Sequence, residues 1–250
     1  MINVLSIPLY DNTLESAVKK VIQICLNEEK QNRCVSTTGA HGLVFSKENE
    51  EFACLLKEFH WNLPDGMPGV WVGRLKGANQ MERCYGPDFF RDLLIASAST
   101  GIRHYFCGGK EGVAEELKTA CGKKFNNFNI GGTFTPPFRE MDDEELEKLG
   151  DDINSRHTDI AWIGISTPKQ EIFARRLSAF TKVHFLISVG AAFDFHTGRV
   201  TQAPKTLQKA GLEWFFRLCM EPKRLYGRYS KIVPCFIYYF WLSGPTPSKF

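Results

Sequence analysis

The sequence lacks the long apolar run that a membrane-spanning helix needs. Its 250 residues include no stretch of the roughly 18–20 consecutive apolar residues that such a helix requires. Residues 1–10 also lack the basic segment and apolar core that mark a secretory signal, so we expect a cytoplasmic protein. No flexible linker is visible. We therefore expect one core, residues 1–210, followed by a C-terminal appendage, residues 211–250.

Paired cysteines are also missing. The eight cysteines are scattered, with no C-x-x-C pair and no histidine-rich neighbourhood, which argues against a zinc site and against a disulfide framework. We expect reduced thiols, no bound metal and no cofactor. The net charge of +3 is too small to indicate a nucleic-acid partner.

Two common nucleotide-binding fingerprints are absent as well. The turn that begins at Gly108 and Gly109 lacks the Lys-Ser/Thr pair of a Walker loop and the G-x-G-x-x-G spacing of dinucleotide-binding proteins. This argues against an NAD-dependent oxidoreductase. The backbone N–H groups of such a turn can nevertheless bind a diphosphate, because glycine lets the chain approach closely.

What the sequence does contain is a regular alternation of amphipathic and apolar segments. The amphipathic segments predict helices at residues 12–29, 41–59, 142–157 and 172–180, the first capped by Asp11 or Asn12. The apolar segments predict strands at residues 33–38, 103–107, 127–130, 159–165 and 183–189. This alternation predicts an α/β fold with a Rossmann-like, doubly wound, mainly parallel sheet, whose functional loops gather at the carboxyl ends of the strands.

Polar residues stand in several of these loops, and each has two interpretations. One turn is rich in hydroxyl groups and glycine and comprises Thr37, Thr38, Gly39 and His41. It either binds a sugar or phosphate or is an ordinary capping turn. Asp65 lies between proline and glycine and is either a helix cap or a general base.

Further candidates follow the later strands. Lys169 and Gln170 come after Pro168 at a predicted helix start, where they either meet an anionic substrate or simply begin the helix. Phe134 either stacks on a nucleotide base or belongs to the core. Asp194 lies near the end of the most apolar strand.

The C-terminal region differs in composition from the rest of the chain. Residues 212–229 read as one helix, with Arg217, Arg224 and Arg228 spaced to share a face. The three guanidinium groups either clamp a phosphate or form a solvated basic face. The aromatic-rich residues 232–242 follow directly and have the composition of a segment that lies at a membrane surface.

Short motifs occur in a characteristic order along most of the chain. They are Thr37-x-Gly39-x-His41, Pro64-Asp65-Gly66-Met67, Arg83-x-x-Gly86, Gly108-Gly109-Lys110, Gly132-Thr133-Phe134, Pro168-Lys169-Gln170-Glu171, the segment 189–194, Glu213-Trp214-x-x-Arg217 and Glu221-Pro222-x-x-Arg224. Together they resemble the WecG/TagA/CpsF family of bacterial glycosyltransferases.

The resemblance implies an inverting, metal-independent transfer of a sugar from a UDP-sugar donor to a polyprenyl-diphosphate-linked saccharide. Such a reaction takes place at the cytoplasmic face of the membrane, to which the protein would bind peripherally. It serves the synthesis of teichoic acid, common antigen or exopolysaccharide. A non-catalytic, nucleotide-sugar-binding scaffold is the alternative, and homo-oligomerisation is left open.

The resemblance also assigns roles to individual residues. It implies that Asp65 is the general base, with Thr37 beside it, and that Arg83 and Gln170 contact the donor or acceptor. The appendage arginines would close over the site and meet the lipid diphosphate. Many family members carry Asn where this chain has Gly39, which leaves the transferred sugar open among N-acetylmannosamine, a hexose and a uronic acid.

Overall fold

A computed structural model of the chain describes residues 1–243. In this part, eight strands form one sheet. The strands are β1 (Ile2–Val4), β2 (Ile7–Leu9), β3 (Arg33–Thr38), β4 (Trp61–Pro64), β5 (His104–Gly108), β6 (Ile130–Phe134), β7 (Ile160–Gly164) and β8 (Phe185–Ser188). The helices described are α1 (Leu14–Asn27), α2 (Ala40–Glu48), α3 (Glu50–Glu58), α4 (Met67–Leu75), α5 (Gly86–Ser97), α6 (Val113–Phe125), α7 (Asp143–Ser155), α8 (Lys169–Leu177), α9 (Ala192–His196), α10 (Lys205–Lys209), α11 (Glu213–Met220) and α12 (Pro222–Ser243).

The sheet has the strand order β1-β2-β4-β3-β8-β7-β5-β6. Its neighbouring strands pair in parallel, except that β1 pairs antiparallel with β2. Side chains of β7 alternate between two apolar clusters: Trp162 packs with residues of α1, α5 and α6, whereas Ile163 packs with residues of α7 and α8. The sheet is thus covered on both faces, and the predicted Rossmann-like, doubly wound fold is confirmed.

Several element boundaries differ from those predicted. Helix α1 begins after Thr13, whose side chain accepts a hydrogen bond from the Ser16 N–H, so neither Asp11 nor Asn12 is the cap. The helix predicted at residues 41–59 is two helices, because Asn49 leaves the helical conformation and caps α3. The strand predicted at 127–130 starts only at Ile130.

The C-terminal helix is also divided. Residues 212–229 contain α11 and α12, which meet at Glu221 because Pro222 has no N–H to continue the first helix. Helix α12 packs on the core through Ile232 and Phe236, which share an apolar cluster with residues of α2, α3 and α4. Residues 244–250 of the predicted appendage lie outside the described residues.

The described residues include no helix that is both long and apolar enough to cross a membrane.

Candidate active site

The loops that follow β3, β4, β5, β6, β7 and β8 line one cavity of about 1450 Å³. Because these strands are parallel, their carboxyl ends meet at one edge of the sheet. Residues of α11 and α12 form a further wall. Pockets for a single small molecule usually measure roughly 300–1,000 Å³, so this cavity is larger than one such ligand needs.

Asp65 lies in this cavity, directly after β4. Its Oδ1 atom accepts a 2.8 Å hydrogen bond from the N–H of Gly86, the first residue of α5. Helix α4, which follows Asp65 in the sequence, receives no side-chain cap. Asp65 therefore does not cap the helix that follows it. Its Oδ2 atom faces the Gly39 turn, where a Cβ atom on Gly39 would lie 3.5 Å away.

The surroundings of Asp65 make it more basic than an ordinary aspartate. Burial is the main cause, and the pKa of the carboxyl rises from 3.8 to about 6. Arg83 and the Gly86 N–H act in the opposite direction, whereas the Glu213 carboxylate raises the pKa further. Such a group is ionised at neutral pH and still accepts a proton readily, as a general base must.

Thr37 and Thr38 point to different sides of β3. Thr37 lines the cavity, and its hydroxyl donates a 3.0 Å hydrogen bond to the Ser188 carbonyl oxygen. The hydroxyl of Thr38 instead donates to Ser36 and is absent from the cavity lining. Thr38 is thus an interior residue, because successive side chains of a strand alternate in direction.

Arg83 is anchored beside Asp65 by three contacts. Its Nε donates a 2.5 Å hydrogen bond to the backbone carbonyl oxygen of Asp65. Its guanidinium lies 4.0 Å from the centroid of the Tyr85 ring. One Nη atom forms an ion pair with Glu213, the first residue of α11. Arg83 therefore joins the loop after β4 to the appendage.

Gln170 lies in the cavity wall, but its amide is occupied within the protein. Its Oε1 accepts a 2.9 Å hydrogen bond from the Gly190 N–H, and its Nε2 donates to Thr167 and Glu171. The side chain is almost completely buried. Gln170 thus fixes the loops after β7 and β8 to each other, while its exposed neighbour Lys169 also lines the cavity.

The predicted diphosphate turn is less available than its sequence indicates. The N–H of Gly109 already donates to the Gly164 carbonyl oxygen at 2.9 Å. Gly108 is required for strand packing, because a Cβ atom there would lie 2.5 Å from the same oxygen. Gly109 lines the cavity and Gly108 does not. Phe134 also lies outside the lining and packs against an apolar cluster, which supports its interpretation as a core residue.

The cavity wall formed by the appendage is strongly basic. Helices α11 and α12, which are separated at Glu221, both place arginines in the cavity lining. Asp194 and His41 also line the cavity. Burial, with Arg224 and Arg217 nearby, lowers the pKa of Arg228. The arginines in this wall are Arg217, Arg224 and Arg228, and Arg224 donates two hydrogen bonds to the Glu221 carboxylate.

His41 lies next to this basic wall and is uncharged at neutral pH. Burial is the main reason that its pKa falls to about 4, and the charges of Arg228 and Lys231 lower it further. A neutral imidazole offers one hydrogen-bond donor and one acceptor to a bound substrate. The cavity thus combines a basic carboxylate, neutral polar groups and several cations.

The sequence as a whole matches one protein family. The model of the glycosyl transferase WecG/TagA/CpsF family matches residues 2–249, nearly the entire chain. The chain belongs to this family. It is therefore a glycosyltransferase, and the family predicted from the ordered motifs is confirmed.

Two residues of this WecG/TagA/CpsF glycosyltransferase are shown to belong to the site by the fold and not by the sequence. Glu213 stands in one of the family-like motifs, but its sequence position gives no sign that it reaches Arg83 across 130 residues. Tyr85 reads as an ordinary residue before a helix, yet its ring supports the Arg83 guanidinium. No group of three His, Cys, Asp or Glu residues in the described part of the chain is arranged to hold a metal ion.

Proposed function

We propose that this glycosyltransferase transfers a sugar from a UDP-sugar to a polyprenyl-diphosphate-linked saccharide, with inversion at the anomeric carbon and without a metal ion. The reaction would serve cell-surface polysaccharide synthesis at the cytoplasmic membrane face. The observation that carries the proposal is the presence, in the lining of one large cavity, of a basic carboxylate at Asp65 and three arginines.

The chemistry follows from these groups. Asp65 Oδ2 takes the proton from a hydroxyl group of the acceptor, and the hydroxyl oxygen attacks the anomeric carbon of the donor. The bond between that carbon and the diphosphate oxygen breaks, and the electron pair leaves with the diphosphate. Arg217, Arg224 and Arg228 provide positive charge for the leaving group. One displacement from the opposite face inverts the configuration.

A lipid-linked acceptor is supported by apolar residues at the cavity mouth. Trp71 and Leu75 of α4 are exposed to 46% and 66%, and they line the cavity together with Ile237 of α12, which is 52% exposed. Trp241 of α12 is 77% exposed. An apolar rim next to a cationic wall suits a hydrocarbon chain that carries a diphosphate, and it suits the surface of a membrane.

A panel of UDP-sugars tests the proposal. The purified protein is incubated with each donor and a polyprenyl-diphosphate-linked saccharide, and the release of UDP and the glycosylated lipid are measured together. We expect one donor to give both products in equal amounts. Binding of a UDP-sugar without any transfer would instead indicate a nucleotide-sugar-binding scaffold, and the catalytic proposal would then be wrong.

A further inference from the structure

Glu213 connects the appendage to the candidate base through a single residue. It is the first residue of α11 and is 8% exposed, and its carboxylate forms the ion pair with Arg83. The side chains of Arg83 and Glu213 are 14% and 11% exposed, respectively, so solvent screens their attraction only partly. Arg83 in turn holds the backbone of Asp65.

The charges around this pair act on Asp65 in opposite directions. Arg83 and Arg217 stabilise the ionised form of Asp65, whereas Glu213 destabilises it. Without the Glu213 carboxylate, two cations would face Asp65 with no competing anion from the appendage. Burial raises the pKa of the Tyr85 phenol, and the nearby Glu213 carboxylate raises it further, so this ring stays neutral beside the pair.

We propose that Glu213 is a positioning residue that sets the Arg83 guanidinium beside the base. It holds the Arg83 guanidinium against Tyr85, where Nε binds the backbone carbonyl oxygen of Asp65 rather than its carboxylate, so that the carboxylate remains free to accept a proton. The Glu213 carboxylate of the appendage thus determines how the Asp65 carboxylate of the core is held and how readily it accepts a proton. This inference rests on the proposed role of Asp65 as general base.

The chain supplies a matched control in a second ion pair between the appendage and the core. Lys231 of α12 lies 2.7 Å from Glu48 of α2. This pair also joins the appendage to the core, but it includes neither Arg83 nor any of the residues that Arg83 contacts. A Glu48→Gln variant therefore loses a docking contact without losing the contact that holds Arg83.

The test compares Glu213→Gln, Glu213→Asp and Glu48→Gln in the full chain. We measure kcat/KM for sugar transfer from about pH 5 to pH 9, the range in which such bases titrate. We expect Glu213→Gln to lower kcat/KM by roughly ten- to a hundred-fold, the effect of misplaced catalytic groups. The acid limb of its pH profile, the range in which kcat/KM falls as Asp65 is protonated, should also move to lower pH, because an anion near Asp65 is lost. Thermal unfolding confirms that each variant is folded.

The control variants decide the interpretation. Glu213→Asp keeps the charge, so its kcat/KM should fall at the same acidic pH as that of wild type. Glu48→Gln should retain both this pH dependence and the wild-type rate. A wild-type acid limb in Glu213→Gln, or an equal shift in Glu48→Gln, would overturn the inference. If Asp65→Asn instead remains active, the base assignment itself fails, which is a different result from a failure of Glu213.

Discussion

The Oδ1 atom of Asp65 accepts a hydrogen bond from the backbone N–H of Gly86, 21 residues further along the chain. This bond uses one carboxylate oxygen and leaves the other directed at the Gly39 turn. It also fixes the carboxylate at the N-terminus of α5, where the helix dipole favours a negative charge. Burial nevertheless outweighs this effect, and the carboxyl keeps a raised pKa.

Replacement of Asp65 by Asn should abolish the acid–base contribution to transfer. The asparagine side chain is nearly isosteric and can still accept the Gly86 hydrogen bond, but it cannot take a proton. We expect kcat/KM to fall by roughly 10²–10⁴-fold. In the wild-type protein kcat/KM should decrease below a pH of about 6, where Asp65 becomes protonated. Rates measured across this pH range check both statements, and unchanged transfer by the variant would refute the base.

The same substitution should stabilise the fold at neutral pH. A carboxyl whose pKa is higher in the folded than in the unfolded state makes the protein less stable as the pH rises from about 4 to about 6. The Asp65→Asn change removes this penalty, which is on the order of 1–3 kcal/mol above the folded pKa. The thermal unfolding temperature of the variant should therefore exceed that of wild type at pH 8 and approach it at low pH. Equal stability at both values would contradict the raised pKa.

A side chain at Gly86 should disturb the groups around Asp65. A Cβ atom there would lie 3.0 Å from the Val189 carbonyl oxygen and 3.1 Å from the Thr37 hydroxyl. Gly86→Ala is expected to displace Asp65 and to lower the rate of transfer by up to roughly a hundred-fold. Gly227→Ala is the matched control, because outside the adjoining backbone of α12 its added methyl group would meet nothing within 4 Å. Equal rates for the two variants would show that the contacts of Gly86 are unimportant.

Gly39→Asn should change the choice of substrate without unfolding the protein. The backbone at Gly39 is extended, with φ of −92°, and an added Cβ atom makes only an ordinary contact with Asp65. The longer side chain would place an amide beside the reacting groups, and a new polar partner discriminates among closely related sugars. We expect the ranking of UDP-sugars by kcat/KM to change. An unchanged ranking in a folded variant would argue against a specificity role for this turn.

Trp241→Glu should weaken binding to membranes more than it affects the chemistry. The side chain is 77% exposed on α12, and a carboxylate there opposes both apolar insertion and anionic lipids. Sedimentation with anionic vesicles should show reduced binding, while transfer to a water-soluble, short-chain acceptor continues at the wild-type rate. Phe128→Glu alters a 75% exposed residue on the loop before β6 and should bind vesicles as wild type does. Equal loss in both variants would mean that α12 is not the contacting surface.

The sequence by itself determined the fold class, because apolar strands and amphipathic helices alternate with a regular period. It also determined the family, since short motifs such as Pro64-Asp65-Gly66-Met67 recur in a characteristic order. Local rules were less reliable at the ends of elements. Asn49 and Pro222 each divide what reads as one helix, because a single cap or a missing N–H outweighs a continuous apolar pattern.

The tertiary structure alone decided which polar groups remain available in the site. Gln170 and Gly109 read as substrate-binding groups, yet the fold pairs them with Gly190 and Gly164. Glu213 carries no sign of its partner in the sequence, yet packing places it against Arg83. Hydrogen bonding and ion pairing depend on distances between residues far apart in the chain, whereas helix and strand formation depends on near neighbours. For this reason the sequence identifies the type of enzyme, and only the fold shows how its candidate base is held.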